Sequence, residues 1–244
     1  EKDAEEEVPV PSKKVFRFIL ETITGLAGSE PQMALRLFLQ GAQGANRCEE
    51  DKIAYEFVSQ AFMLYEDEVS DSKVQMELVL VSAGTLCTLN KLDQEDYDTL
   101  ITNTTKHAAR LLKKPDQCRA VYNCSHLFWN PDFVYEEDKA FVDGKRVLDC
   151  LQRSLKIADV CMQASTNVSL FVEILNRYLY FFEAGNEKVT IKYLQGLLDL
   201  VKEHLSGAEA GAETDAVKAH FAATLKHIQS KKEAGDNRYD ELAV

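Results

Sequence analysis

From Ser12 onward, apolar residues recur at three- and four-residue intervals, the spacing that gathers them on one face of an α-helix. About ten such windows follow one another. The first carries Val15, Phe18, Ile19, Ile23 and Leu26 behind a Ser12 cap, and the second Leu35, Phe38 and Leu39 behind Ser29 and Pro31. The third, from Glu49 to Glu68, places Ala54, Phe57, Val58, Ala61 and Tyr65 on one side. Ser70 is the expected cap of the fourth. Its Leu78-Val79-Leu80-Val81 run would suit a buried strand, but the Pro-free window around it and the absence of turn residues at its edges predict a helix buried on most sides. The fifth starts near Asp93 with Tyr97, Leu100, Ile101, Thr104, Ala108 and Leu111 in register, and Pro115 ends it and opens the sixth. Leu148, Leu151, Leu155, Ala158 and Met162 mark the seventh. Phe171, Ile174, Leu175, Tyr178 and Phe182 mark the eighth, with Gly185 as its stop. Leu194, Leu197, Leu198, Val201 and Leu205 mark the ninth, ended by Gly207, and Val217, Phe221, Leu225 and Ile228 the tenth.

Helices of this length joined by short links become antiparallel neighbours. Successive pairs recur at about 40 residues, within the range of HEAT-like hairpins. The expected fold is therefore all-α, an α-solenoid of HEAT-like antiparallel hairpins over residues 12–233. Residues 1–11 read as an acidic disordered linker, residues 234–244 as a polar C-terminal tail that frays, and residues 130–143 as the longest irregular stretch. No window alternates with period two, so no sheet is expected.

Composition supports long elements: the 244 residues include only 11 Gly and 5 Pro, and 45% are apolar. The net charge is −12; five acids against Lys2 put −4 of it in residues 1–11 and leave −8 for the rest. A body so acidic has no electrostatic footprint for nucleic acid or anionic lipid, so any membrane attachment is indirect. The six cysteines form no CxxC pair and stand mostly among apolar residues, as reduced thiols of a cytoplasmic protein do. The N-x-S/T matches at Asn103, Asn123 and Asn167 read as chance, because neither a signal peptide nor an apolar run near eighteen residues is present. The initial Glu1 suggests a fragment or a processed chain.

No nucleotide-binding, hydrolase or metalloprotease motif occurs, and the expectation is a chain with no enzymatic activity, cofactor or metal. Cys118, Cys124 and His126 match no zinc spacing and would not converge from one helix. Asp67, Glu68 and Asp71 lack the glycine and distal glutamate of a calcium loop. His220 and His227 share a helix face and are expected to be solvated.

Two charge clusters say more. Glu66, Asp67 and Glu68 close the third helix, where the macrodipole makes carboxylates unfavourable; Arg110, Lys113 and Lys114 lie at the end of the fifth, where cations are favoured. They would emerge on one edge of an up-down array. There they form either a solvated edge with ion pairs of little value, or a self-complementary patch for a second copy across a two-fold axis. The aromatic cluster around Phe128 and Trp129 and the run Asn176-Arg177-Tyr178 fit either a core or the anchors of a partner interface.

Four stretches carry a resemblance: AYEFVSQAFMLYEDEVSDSK (54–73), LLKKPDQCRAVYNCSHLFW (111–129), GKRVLDCLQRSLKIADVCM (144–162) and LFVEILNRYLYFFE (170–183). In order and spacing they closely resemble the C-terminal half of the retromer large-subunit family, from about Val15 to about Ile228. The resemblance implies a non-catalytic α-solenoid of the endosomal sorting coat, acting in retrograde transport from endosomes to the Golgi and plasma membrane. It implies a concave face that grips the small phosphoesterase-fold subunit of retromer. It implies pairing with a second copy at the arch apex, on the surface that matches Glu66, Asp67, Glu68, Arg110, Lys113 and Lys114. Attachment to endosomal membranes would run through sorting nexins or a Rab GTPase. The family's PRLYV-type motif is absent, so the arrestin-like subunit would be reached only through an amino-terminal half missing here. The alternative is a HEAT-repeat scaffold of another assembly, in nuclear transport or a phosphatase. Residues 1–11, 130–143 and 206–215 do not follow the family closely.

Overall fold

In a computed structural model of the chain, which describes residues 10–135, 139–161 and 164–243, the apolar windows become ten α-helices among the described residues. They are α1 (Ser12–Ala27), α2 (Pro31–Arg47), α3 (Asp51–Glu68), α4 (Ser72–Leu86), α5 (Gln94–Arg110), α6 (Lys114–Cys124), α7 (Gly144–Asp159), α8 (Ala164–Glu183), α9 (Ile191–Ser206) and α10 (Ala212–Glu233). The structure is 76% helical, an all-α chain of the α-solenoid class. It divides into two compact units. One comprises residues 1–104 and 131–140, the other residues 105–130 and 141–244.

The stretch expected to be irregular is instead a small hairpin of β1 (Trp129–Tyr135) and β2 (Lys139–Val142). Its signal is short: Phe133 and Phe141 face inward and are 0% and 4% exposed, while Val134 and Val142 face out. Two alternating strands of this length are hard to separate from a loop when Pro131 interrupts one of them.

In the first unit, α2 packs on α1 and α3. Phe38 and Phe57 meet at 6.2 Å between ring centroids, and Phe16 stands edge-on to Phe57 at 6.3 Å. The stripe of α1 is therefore rotated from the expected one. Phe16 and Ile23 are buried, whereas Val15 and Phe18 are 43% and 69% exposed. Pro11, not Ser12, stands at the start of α1, and Ser12 donates its hydroxyl to Glu50 at 2.6 Å. Likewise Asp71 rather than Ser70 caps α4, its carboxylate accepting from the backbone N–H groups of Lys73 and Val74. Phe133 of β1 stacks on Tyr97 of α5 at 4.4 Å.

In the second unit, α6, α8 and α10 lie side by side, with α7 packed on α6 and α8, and α9 packed on α8. The buried face of α7 is Val147, Cys150, Leu151, Ser154, Ile157 and Ala158, one position away from the expected Leu148 and Leu155; Met162 lies outside the described residues. Two helices stop in the same way. Gly185 and Gly235 take φ of +86° and +81°, and in each case the following N–H reaches back to the helix, Asn186 to Phe181 and Asp236 to Lys231. Both are Schellman turns, which a residue with a Cβ adopts only with strain.

The repeat is visible in the bonds between hairpins. Arg36 to Glu77 spans 41 residues, Asn46 to Asn90 spans 44, Asn186 to Gly144 spans 42, Gln152 to Tyr193 spans 41, and His227 to Glu183 spans 44. These bonds link successive hairpins, whose corresponding helices start 39–50 residues apart.

The segment after α10 does not fray. Gly235 reverses the chain, and residues 236–243 return against α8, α9 and α10, with Tyr239 and Leu242 buried at 0% and 1% exposure. The polar composition hid two apolar anchors spaced three residues apart.

Candidate functional site: two charged clusters and a stitched helix layer

Glu66, Asp67 and Glu68 are exposed at the end of α3, and Arg110, Lys113 and Lys114 are exposed around the end of α5 and start of α6. Beside each cluster stands an exposed apolar side chain. Met63, one turn before Glu66 and Asp67, is 48% exposed, and Leu112, between Arg110 and Lys113, is 81% exposed. An exposed leucine among cations is a feature that periodicity does not show, because position 112 lies between two helices.

The residues named as partner anchors separate into core and surface. Tyr178 is fully buried beside Tyr193, at 5.9 Å between rings, and Phe128 is 4% exposed beneath the guanidinium of Arg146 at 4.7 Å. Both are core residues, and a partner cannot reach Tyr178 without opening the unit. Trp129 is half-buried, edge-on to Phe181 at 6.3 Å. Asn176 and Arg177 are half-buried on the layer formed by α6, α8 and α10.

Side chains stitch this layer across its helices. Glu173 of α8 accepts a forked pair of bonds from Arg119 of α6 at 2.9 and 2.8 Å, one from the Tyr122 hydroxyl at 2.7 Å and one from Ser169 at 3.2 Å. Burial alone would raise the carboxyl pKa, but these bonds and the Arg119 charge hold it below the ordinary range. The Arg177 guanidinium lies 5.3 Å from the centre of the Tyr122 ring and donates to Asn123 at 3.4 Å. Asn176 accepts from Thr224 of α10 at 3.1 Å and meets the His220 ring at 3.1 Å. Glu183 meets His227 at 2.6 Å and Lys231 at 3.7 Å. The two histidines expected to be solvated are exposed, and they also link α8 to α10. Burial and the Arg177 charge lower His126 to about 4; its ring sits 4.9 Å from Tyr180 and 5.0 Å from Phe181.

Sequence reasoning missed Glu173, Arg119 and Glu183. The signal was present: Glu173 is the lone acid in LFVEILN, and a carboxylate inside an apolar helix window requires a fixed cation or hydroxyl. Cys118 and Cys124 are buried and His126 is half-buried against Tyr180 and Phe181. Cys118 is buried and donates its thiol to the Ser154 carbonyl at 3.4 Å, and among the described residues no three His, Cys, Asp or Glu side chains are placed to hold an ion. Burial pushes the Cys118 and Cys150 thiols up to about 12, which keeps them protonated and unreactive as nucleophiles at neutral pH.

This is the architecture of a helical-repeat protein: stacked hairpins, buried thiols and a polar surface whose side chains tie helix to helix. No helix among the described residues is long and apolar enough to cross a membrane. Residues 1–204 match the family model of vacuolar protein sorting-associated protein 35, and the chain belongs to that family. It is 41% identical to vacuolar protein sorting-associated protein 35A of Arabidopsis thaliana, over 98% of this chain and 30% of that protein. It is 42% identical to the 35B protein of the same plant over 95% of this chain and 30% of the relative. The identity to vacuolar protein sorting-associated protein 35 of Schizosaccharomyces pombe is 40% over 78% of this chain and 23% of the relative. The chain thus corresponds to a partial segment, under a third of the length of these relatives.

Proposed function

We propose that this segment is a non-catalytic scaffold of the retromer coat that holds the small phosphoesterase-fold subunit and pairs with a second copy of itself. The observation that carries the reading is family membership over residues 1–204, joined to the exposure of both charge clusters. Pairing would set Glu66, Asp67 and Glu68 of one copy against Arg110, Lys113 and Lys114 of the other, with Met63 and Leu112 supplying apolar area beside the charges. Trp129, Asn176 and Arg177 are the surface residues offered to the small subunit, since aromatic and arginine side chains are the usual anchors of interfaces. The setting is retrograde sorting from endosomes to the Golgi and plasma membrane, with the scaffold peripheral to endosomal membranes and recruited through sorting nexins or a Rab GTPase. The arrestin-like subunit belongs to another part of the large subunit.

Size-exclusion chromatography of the chain mixed with the purified small subunit tests the reading. The expected result is a new peak with the two proteins in equal amounts, weakened by Arg177→Ala when melting shows the variant folded. Separate elution at concentrations well above those of the coat would overturn it.

A further inference from the structure

The segment after α10 is bound as a ligand is bound. Asp236 accepts from the Arg238 N–H at 3.2 Å and pairs with its guanidinium at 2.7 Å. The backbone closes on itself, Tyr239 to Asp236 at 3.1 Å and Leu242 to Tyr239 at 3.0 Å. This compact turn presents three anchors to the second unit. Arg238 donates to the carbonyls of Phe182 and Glu183 at 3.4 and 3.2 Å, at the carboxyl end of α8 where a cation is favoured, and lies 5.6 Å from the centre of the Phe182 ring. Tyr239 stands edge-on to Phe182 at 5.3 Å and donates its hydroxyl to Glu183 at 2.6 Å. Leu242 is 1% exposed, and the adjoining backbone is held from α9 and α10: Gln195 accepts from the Ala243 N–H at 2.8 Å, and Lys232 donates to the Leu242 carbonyl.

We infer that the end of the α8–α10 array is a peptide-binding cleft specific for an Arg-Tyr-x-x-Leu turn, and that residues 236–243 of this chain fill it in cis. Three features make it a site rather than incidental packing. The ligand is preorganised by its own hydrogen bonds, which lowers the ordering cost of docking. Its recognition combines an aromatic ring, a carboxylate aimed at a hydroxyl and two carbonyls at the end of a helix. The covalent link supplies a high effective concentration, so the cleft stays filled until the segment is displaced. The ligand class in trans is a short peptide with the same arginine, tyrosine and leucine spacing.

The test uses the full chain and a fluorescent peptide of residues 235–244. In a Tyr239→Ala, Leu242→Ala variant the chain's own segment is released, and the peptide is expected to bind saturably. Binding should be at least about tenfold tighter than to the wild-type chain, whose cleft is occupied. A peptide carrying Tyr239→Ala should not bind. A folded double variant that takes up no peptide overturns the inference. So does a wild-type chain that takes it up equally well. If the double variant unfolds, hydrogen exchange in full-length Tyr239→Phe decides. The Leu242 amide should exchange several-fold faster while the α8 and α9 amides stay protected, and unchanged exchange at Leu242 contradicts the docking.

Discussion

Tyr178 is fully buried, yet its hydroxyl finds no hydrogen-bond partner among the described residues. An unsatisfied buried hydroxyl costs about 1–3 kcal/mol, so Tyr178→Phe is expected to leave stability unchanged or raise it by up to that amount. A thermal melt of the variant with a lowered midpoint would show that the hydroxyl has a function in the fold. His126 gives a pH dependence. Its folded pKa is lowered to about 4 by burial and Arg177, while the unfolded side chain titrates near the reference value of about 6.5. The unfolded chain therefore binds the proton first, and stability is expected to decline as pH falls from about 6.5 towards 4. In His126→Phe, which keeps a ring against Tyr180 and Phe181, that part of the decline should be absent from melts recorded across the range. At this scale the sequence told which residues were apolar but not which way a helix was turned. Phe18 and Phe16 are both candidates for the core of α1, and only contact with Phe57 decides for Phe16.

Helices were legible as elements because each has to bury a stripe, and a stripe leaves a period. Tyr97, Leu100, Ile101, Thr104, Ala108 and Leu111 were expected in register, and all six are buried. The β1–β2 hairpin and the docked segment were not legible, since each is fixed by two buried side chains, Phe133 and Phe141 or Tyr239 and Leu242, too few to give a period. Nor were the bonds between helices, which depend on partners about 40 or more residues away. The Arg119–Glu173 pair ties α6 to α8, with both side chains partly shielded. Glu173→Ala strips Arg119 and Tyr122 of their acceptor and is expected to cost roughly 1–3 kcal/mol. A double-mutant cycle with Arg119→Ala should return a coupling of about 0.5–3 kcal/mol by denaturant unfolding; additive losses would mean the pair is incidental. Because the folded carboxyl is held below its ordinary range, this contribution is complete above the unfolded carboxylate pKa and is lost as pH falls through the folded one.

For the molecule as a whole, the clusters at the ends of α3 and α5 are the features with the widest consequence. In the proposed two-fold pair, reversing Glu66, Asp67 and Glu68 to lysine, or Arg110, Lys113 and Lys114 to glutamate, would set like charges against each other at both symmetry-related contacts. Each exposed pair contributes only about 0.2–1 kcal/mol, but several pairs counted twice decide a weak dimer. In analytical ultracentrifugation, each single reversal is expected to be monomeric and the combined reversal to regain self-association. Four species that sediment as identical monomers at high concentration would reduce the clusters to solvated edges.

The central claim, a scaffold that holds the small phosphoesterase-fold subunit through Trp129, Asn176 and Arg177, only one of which is charged, is tested most directly by titration calorimetry of the two proteins at low and at high salt. The chain carries a net charge of −12 and its offered anchors are Trp129, Asn176 and Arg177. The account therefore predicts one-to-one binding that loses less than about tenfold, or 1.4 kcal/mol, as salt screens the charges. Absence of binding, or its disappearance at moderate salt, would contradict it.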